Sequence, residues 1–187
     1  MVKAYFEDIH IEIIQHIEMA KSDIKICVAW FTDFDIYSKL VDKLKKGVNI
    51  EVILANHKFN KESRVDFKEF LKRNGKVSYV GTLNDGSQDS FMHNKFCIID
   101  RNIIITGSYN WSFKARKNDE NILVIKNDKL LTKQFENKFS ELKPKFGFAI
   151  RNNEVALLPI DKIMAKWDQK PKNKIKAKGS TNILNKF

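Results

Sequence analysis

Cysteine is nearly absent from this chain: Cys27 and Cys97 are the only two. Each lies in an apolar run. No CxxC occurs, and no Cys/His cluster has zinc-ligand spacing. A disulfide scaffold and a zinc module are therefore excluded, and two buried, reduced thiols are expected. Long hydrophobic runs are missing too, so nothing in the sequence can span a bilayer as a helix, and no stable membrane insertion is expected. The opening stretch, "MVKAYFEDIHIEIIQ", carries acidic residues where a signal peptide needs basic and then apolar ones; a cytoplasmic protein is the expectation. Histidine is also rare, at four residues, which makes the setting of each one informative.

Acidic charge is in deficit. The formal net charge is +11 over 187 residues, a balance that favours polyanionic partners, nucleic acid or an anionic membrane surface. The excess is uneven: residues 1–150 carry a net of +5 and residues 151–187 a net of +6.

Periodicity divides the chain into alternating elements. Phe6, Ile9, Ile13, Ile17 and Ala20 fall on one helical face. "IKICVAWF" (24–31) reads as a strand, followed by a helix with Ile36, Leu40, Val41 and Leu44 buried and Gly47 at its C-cap. "VNIEVILA" is a second strand. Residues 61–73 read as a helix with Val65, Phe70 and Leu71 inward, stopped by Asn74-Gly75 before the short strand "KVSYVG". Residues 82–90, "TLNDGSQDS", are a loop. A strand–turn–strand follows, then "ILVI" (122–125), and a helix over 129–142 built on Leu130, Leu131, Phe135, Phe139 and Leu142. This alternation predicts an α/β fold, a mixed β-sheet sandwiched by helices. One domain is expected over 1–148. Residues 149–187 are expected to hold a short helix in "LLPIDKIMAKW" and then a flexible basic tail, with lysines at 170, 172, 174, 176 and 178.

The chemistry concentrates in "HNKFCIIDRNIIITGSYNW", His93 to Trp111. Side chains alternate along a strand, so His93, Lys95, Cys97 and Ile99 share one face, with His93 and Lys95 at the strand's start. If "DRN" at 100–102 turns the chain back, Gly107 returns beside His93, with Ser108 and Asn110 just beyond. One imidazole, one ammonium and two neutral donors at one edge suit a phosphoryl group. Neutral imidazole is nucleophilic near pH 7. A carboxylate can hold its other nitrogen, and Glu120 is the nearest downstream candidate. Asp100 is read as a turn residue. Trp111 and Phe113 are read as packing residues, and His10, His16 and His57 as surface residues.

H-x-K-x4-D followed by G-S-x-N, carried by His93, Lys95, Asp100, Gly107, Ser108 and Asn110 with Glu120-Asn121 after it, resembles the HKD signature of the phospholipase D-like superfamily. The likeness extends over about residues 5–145. It implies a phospholipase D-like fold and a phosphodiesterase in which His93 attacks phosphorus and forms a phosphohistidine. Lys95, Ser108 and Asn110 would contact the phosphate, Glu120 would partner His93, and Asp100 and Gly107 would be structural. No cofactor or metal is implied. Two such motifs ordinarily make one site. This chain has one, and the single-motif members it resembles are small bacterial nucleases that pair as homodimers. A nuclease acting on DNA or RNA at a site shared by two subunits is the leading expectation, with the lysine tail as a nucleic-acid contact. A lipid phosphodiesterase, of the phospholipase D or cardiolipin hydrolase type, and a non-catalytic nucleic-acid-binding member are the alternatives.

Overall fold

The computed structural model describes residues 1–167 except 62, 64, 82–90, 143 and 145. The expected loop at 82–90 and the tail lysines Lys170, Lys172, Lys174, Lys176 and Lys178 lie outside the described residues. In chain order the elements are β1 (Val2–Tyr5), α1 (Ile9–Met19), β2 (Asp23–Val28), α2 (Phe34–Lys45), β3 (Asn49–Ala55), α3 (Lys58–Lys61), α4 (Phe67–Lys72), β4 (Lys76–Val80), β5 (Lys95–Ile99) and β6 (Ile103–Gly107). A 3-10 turn (Lys114–Lys117), β7 (Ile122–Lys126), α5 (Lys129–Glu141), β8 (Phe146–Arg151), β9 (Glu154–Pro159) and α6 (Ile160–Trp167) complete them.

One nine-stranded sheet runs β1-β7-β6-β5-β2-β3-β4-β8-β9. The β2–β3 and β3–β4 pairs are parallel and the rest antiparallel. Central strands buried on both faces read as continuous apolar runs, which is why "IKICV" and "VILA" lack polar alternation. On one face Ile24, Ile26, Val28, Cys97 and Ile99 pack with Ile13 and Ile17 of α1 and Leu40 of α2. On the other, Cys27, Ile53, Phe96 and Ile98 pack under Phe139 of α5, with Phe135 at the margin. The fold is thus the expected mixed sheet between helices. Both cysteines are free and buried.

The sequence reading needs amendment at several points. Phe6 precedes α1 and is 69% exposed. The single helix expected over 61–73 is two short ones, α3 and α4, split where Asp66 caps the second by accepting from Lys68 N at 2.8 Å. His16 is buried rather than superficial, its Nδ1 2.8 Å from the Glu12 carbonyl. Leu130 is solvent-facing. The boundary expected at 148/149 falls inside β8, and Leu157 and Leu158 belong to β9 rather than to a helix, which begins at Ile160. The β8–β9 hairpin turns at Asn152-Asn153, both at positive φ. An Asn pair is the composition that a tight hairpin turn of this hand favours. The hairpin extends the sheet from β4.

Candidate active site

Strand register assembles the site. Val28 at the end of β2 pairs with Leu54 of parallel β3 and with Lys95 at the start of antiparallel β5. The carboxyl ends of β2 and β3 and the amino end of β5 therefore share one sheet edge. Trp30 lies two residues beyond β2, His57 two beyond β3, and His93 two before β5. In open α/β sheets this carboxyl edge is where ligands bind.

The β5–β6–β7 ladder sets the other half. Phe96 pairs with Thr106, and Gly107 with Ile122, so the residues after Gly107 emerge beside Lys95. A Cβ on Gly107 would stand 2.1 Å from the Asn121 carbonyl oxygen and 2.8 Å from Ile122 Cα. Only glycine permits this approach of β6 to β7. Ser108 N donates to Asn121 O at 3.0 Å, and Asn121 N donates back to Ser108 Oγ at 3.0 Å. The Ser108 hydroxyl donates to the Glu120 carboxylate, whose other oxygen accepts from Asn118 Nδ2 at 3.2 Å.

A long-range clamp fixes the 108–117 loop against the chain leaving β2. Thr32 N and Asp33 N donate to Trp111 O at 2.8 and 3.0 Å. Asp33, fully buried, accepts from Arg116 Nε at 2.8 Å and Nη2 at 2.6 Å, and caps α2 through Asp35 N and Ile36 N. Paired and multiply hydrogen-bonded, this carboxylate recovers its cost of desolvation. Asn110 is nearly buried, and its Oδ1 lies 3.4 Å from Trp30 N, which leaves its amide nitrogen as the available donor.

The nucleophile candidate sits differently from expectation. His93 is exposed just outside β5, and its ring packs edge-on to Trp30 at 6.0 Å and against Phe91 at 5.7 Å. Partial burial, and then the neighbouring Lys95 charge, lower its pKa below the ordinary 6.5, so the ring is neutral at pH 7. Lys95, half-buried, donates from Nζ to the His93 carbonyl at 2.8 Å. Desolvation lowers its pKa, opposed by the Glu120 charge. Glu120 therefore faces Ser108 and Lys95, and among the described residues it makes no hydrogen bond with the His93 ring. Asp100 lies at the far end of β5. It occupies the turn with Arg101, both at φ 51°, and also accepts from Lys21 N, Ser22 N, Asp23 N and Ser22 Oγ at 2.7, 2.8, 3.0 and 2.8 Å.

Sequence reasoning overlooked the rings around His93. Trp30 lies beyond the end of β2 rather than at the tail of that strand, and His57 belongs to an aromatic group rather than standing alone at the surface. The ring centroid of Trp30 is 6.2 Å from that of His57 and 5.9 Å from that of Phe59; Phe91 lies 6.1 Å from His57. Aromatic residues directly after apolar strand runs were the available signal. Trp111 packs as expected, edge-on to Phe31 at 5.5 Å. Phe113 does not: it is 61% exposed beneath the Arg116 guanidinium. Among the described residues no group of three or more His, Cys, Asp or Glu is placed to hold a metal, and no helix is long and apolar enough to cross a membrane.

A family model described as cardiolipin synthase, PLD-like domain, matches residues 13–143. The chain belongs to the phospholipase D-like family. Among curated relatives, the mitochondrial cardiolipin hydrolase of Chlamydomonas reinhardtii is 28% identical over 130 residues, covering 69% of this chain and 55% of that protein. A phospholipase D of Rickettsia prowazekii is 29% identical over 129 residues, covering 68% and 60%. The chain thus spans little more than half the length of these relatives. Among solved structures, Nuc of Salmonella typhimurium, a phospholipase D family member, superposes with a TM-score of 0.65 at 21% identity, covering 85% of this chain and 98% of that one. In this phospholipase D-like chain the β5–β6 hairpin and the residues flanking it carry the motif.

Proposed function

We propose that this phospholipase D-like protein is a metal-independent phosphodiesterase that cleaves nucleic acid through His93. The supporting observation is the edge where an exposed, neutral imidazole stands beside a half-buried ammonium and the Ser108–Asn110 loop. Neutral His93 attacks phosphorus, the P–N bond forms, and the P–O bond to the leaving group breaks. Lys95 and the Asn110 amide meet the non-bridging oxygens, where negative charge builds up. Glu120 accepts from the Ser108 hydroxyl and so fixes the loop that presents the Asn110 amide. The leaving oxygen needs a proton. The His93 of a second copy supplies it as imidazolium, the form that the charge of the bound phosphate favours, since the motif occurs once per chain, and a two-fold axis brings the same edge from each subunit to one phosphate. Water then hydrolyses the phosphohistidine, with the second imidazole as base.

The net charge of +11 suits any anionic phosphodiester; nucleic acid is preferred because the alternate lysines from 170 to 178 suit a chain of regularly spaced phosphates. The names of the curated relatives, a cardiolipin hydrolase and a phospholipase D, favour a lipid phosphodiester as the second reading. One experiment separates them. Single-stranded DNA, RNA, plasmid and cardiolipin vesicles are each incubated with the protein and with His93→Ala, in EDTA. Cleavage of a nucleic acid by the wild type alone is expected. Turnover that needs added Mg²⁺, or full activity in His93→Ala, refutes the mechanism. Exclusive turnover of cardiolipin transfers the mechanism to the second reading.

A further inference from the structure

Two large rings next to the proposed nucleophile remain unburied. Phe59 is 51% exposed and Phe91 48% exposed. They belong to one aromatic group. The Phe59 ring lies 4.6 Å from His57, both lie within about 6 Å of Trp30, and Phe91 bridges His57 to His93 at 6.1 and 5.7 Å. These separations are those of stacked and edge-to-face pairs, so the rings order one another. Four segments of chain contribute, from the ends of β2 and β3, from α3, and from the approach to β5. Packing alone does not explain the exposed faces. Exposed aromatic surface continuous with a catalytic edge marks a ligand-binding surface.

The geometry points to an occupant: we propose that Trp30, His57, Phe59 and Phe91 form a platform on which an unpaired nucleobase stacks beside the scissile phosphate. The substrate is then single-stranded nucleic acid. This rests on the nucleic-acid reading above and adds the strandedness and the residues that select it. A phosphate held at His93 leaves its own base within one ring's reach of Phe91 and Trp30. Bases in a duplex present only edges, whereas an unpaired base offers a π-face to any flat ring, which makes such sites tolerant of sequence. Lys58, whose Nζ is 6.0 Å from the centre of the Phe59 ring, adds a cation beside the platform for the neighbouring phosphate. The net charge favours an anionic occupant, and of nucleic acid and an anionic lipid only nucleic acid carries a π-face for these rings to stack on.

The test compares kcat/KM for a short single-stranded oligonucleotide, its duplex, and an abasic phosphodiester oligomer of equal length. The wild type should favour the base-containing single strand over both. Phe59→Ala and Phe91→Ala should each reduce that preference by about five- to tenfold, the value of one modest stacking contact. Phe59→Leu and Phe91→Leu keep apolar bulk without a π-face and should reduce it similarly. Both positions are half-exposed, so melting temperatures should stay close to that of the wild type. Equal wild-type rates on base-containing and abasic oligomers overturn the platform, as does an undiminished preference in the double alanine variant or a preference retained in the leucine variants. Failure of the nucleic-acid reading itself looks different: no oligomer, abasic included, would be cut, while cardiolipin vesicles would be.

Discussion

Replacing the motif aspartate should damage stability and spare chemistry. Asp100 accepts four hydrogen bonds, three from consecutive backbone N–H groups at Lys21, Ser22 and Asp23 and one from the Ser22 hydroxyl. It therefore fastens the start of β2 to the β5–β6 turn, as a capping side chain fastens a helix start. A capping side chain contributes about 0.5–2 kcal/mol and each bond to a charged group about 1.5–3. Because water can reach this partly exposed site and replace some bonds, Asp100→Ala should cost roughly 2–4 kcal/mol. For a chain of this size that lowers the melting temperature by about 5–15 °C. Lys95 is five residues away along β5, about 17 Å at strand rise, which is twice the screening length of about 8 Å at physiological salt. At 20 °C, where the variant is still folded, kcat/KM should therefore stay within about threefold of wild type. The carboxylate also gives a pH signature. Burial pushes its pKa up, but the N–H bonds from Asp23, Ser22 and Lys21 outweigh this and hold it below the ordinary 3.8. The folded value is the lower one, so this stabilisation is complete above about pH 4 and is lost as pH falls through the folded pKa. The gap in melting temperature between wild type and Asp100→Asn should be full at pH 7 and shrink below pH 4. Differential scanning calorimetry across pH, with steady-state kinetics at 20 °C, checks both halves. A hundredfold loss of kcat with an unchanged melting temperature would make Asp100 part of the chemistry and refute the reasoning.

Gly107→Ala forces β7 away from a Cβ placed 2.1 Å from the Asn121 oxygen; about 1–3 kcal/mol of stability should be lost, and kcat should drop at least tenfold as Ser108 and Glu120 shift. Wild-type melting and turnover in this variant would contradict the close approach. His93 should titrate below pH 6.5 by NMR, and Lys95→Gln should move its midpoint upward, since burial and then the Lys95 charge depress it; an unmoved midpoint rules out the charge contribution. Equal mixing of wild type with His93→Ala, followed by subunit exchange, should leave about a quarter of the activity if both histidines of a dimer are needed; about half would mean that each subunit acts alone. Deleting 168–187 removes the lysines at 170, 172, 174, 176 and 178 and should flatten the slope of log affinity against log salt by about 0.7 per lost single-strand phosphate contact, with unchanged slopes returning the tail to a solvated segment.

The sequence alone determined what is local. His93, Lys95, Asp100, Gly107 and Ser108 fall within one hairpin, where strand period and turn length convert fixed offsets into positions in space. The buried central strands were legible because burial on both faces leaves continuous apolar runs. The β8–β9 hairpin was missed because Leu157 and Leu158 run straight into the helical spacing of Ile160 and Ile163, and only pairing across Asn152-Asn153 and with β4 separates strand from helix. Tertiary structure alone decided the rest. The Asp33–Arg116 clamp joins residues 83 positions apart. Trp30 reaches His93, and His57 and Phe59 pack on Trp30, because two parallel strands end where an antiparallel one begins, a consequence of strand order rather than of local spacing. Glu120 faces Ser108 instead of His93 because the β6–β7 register sets Ser108 against Asn121. Side-chain partners across a sheet depend on which strands are neighbours, and that is fixed by the packing of the whole core.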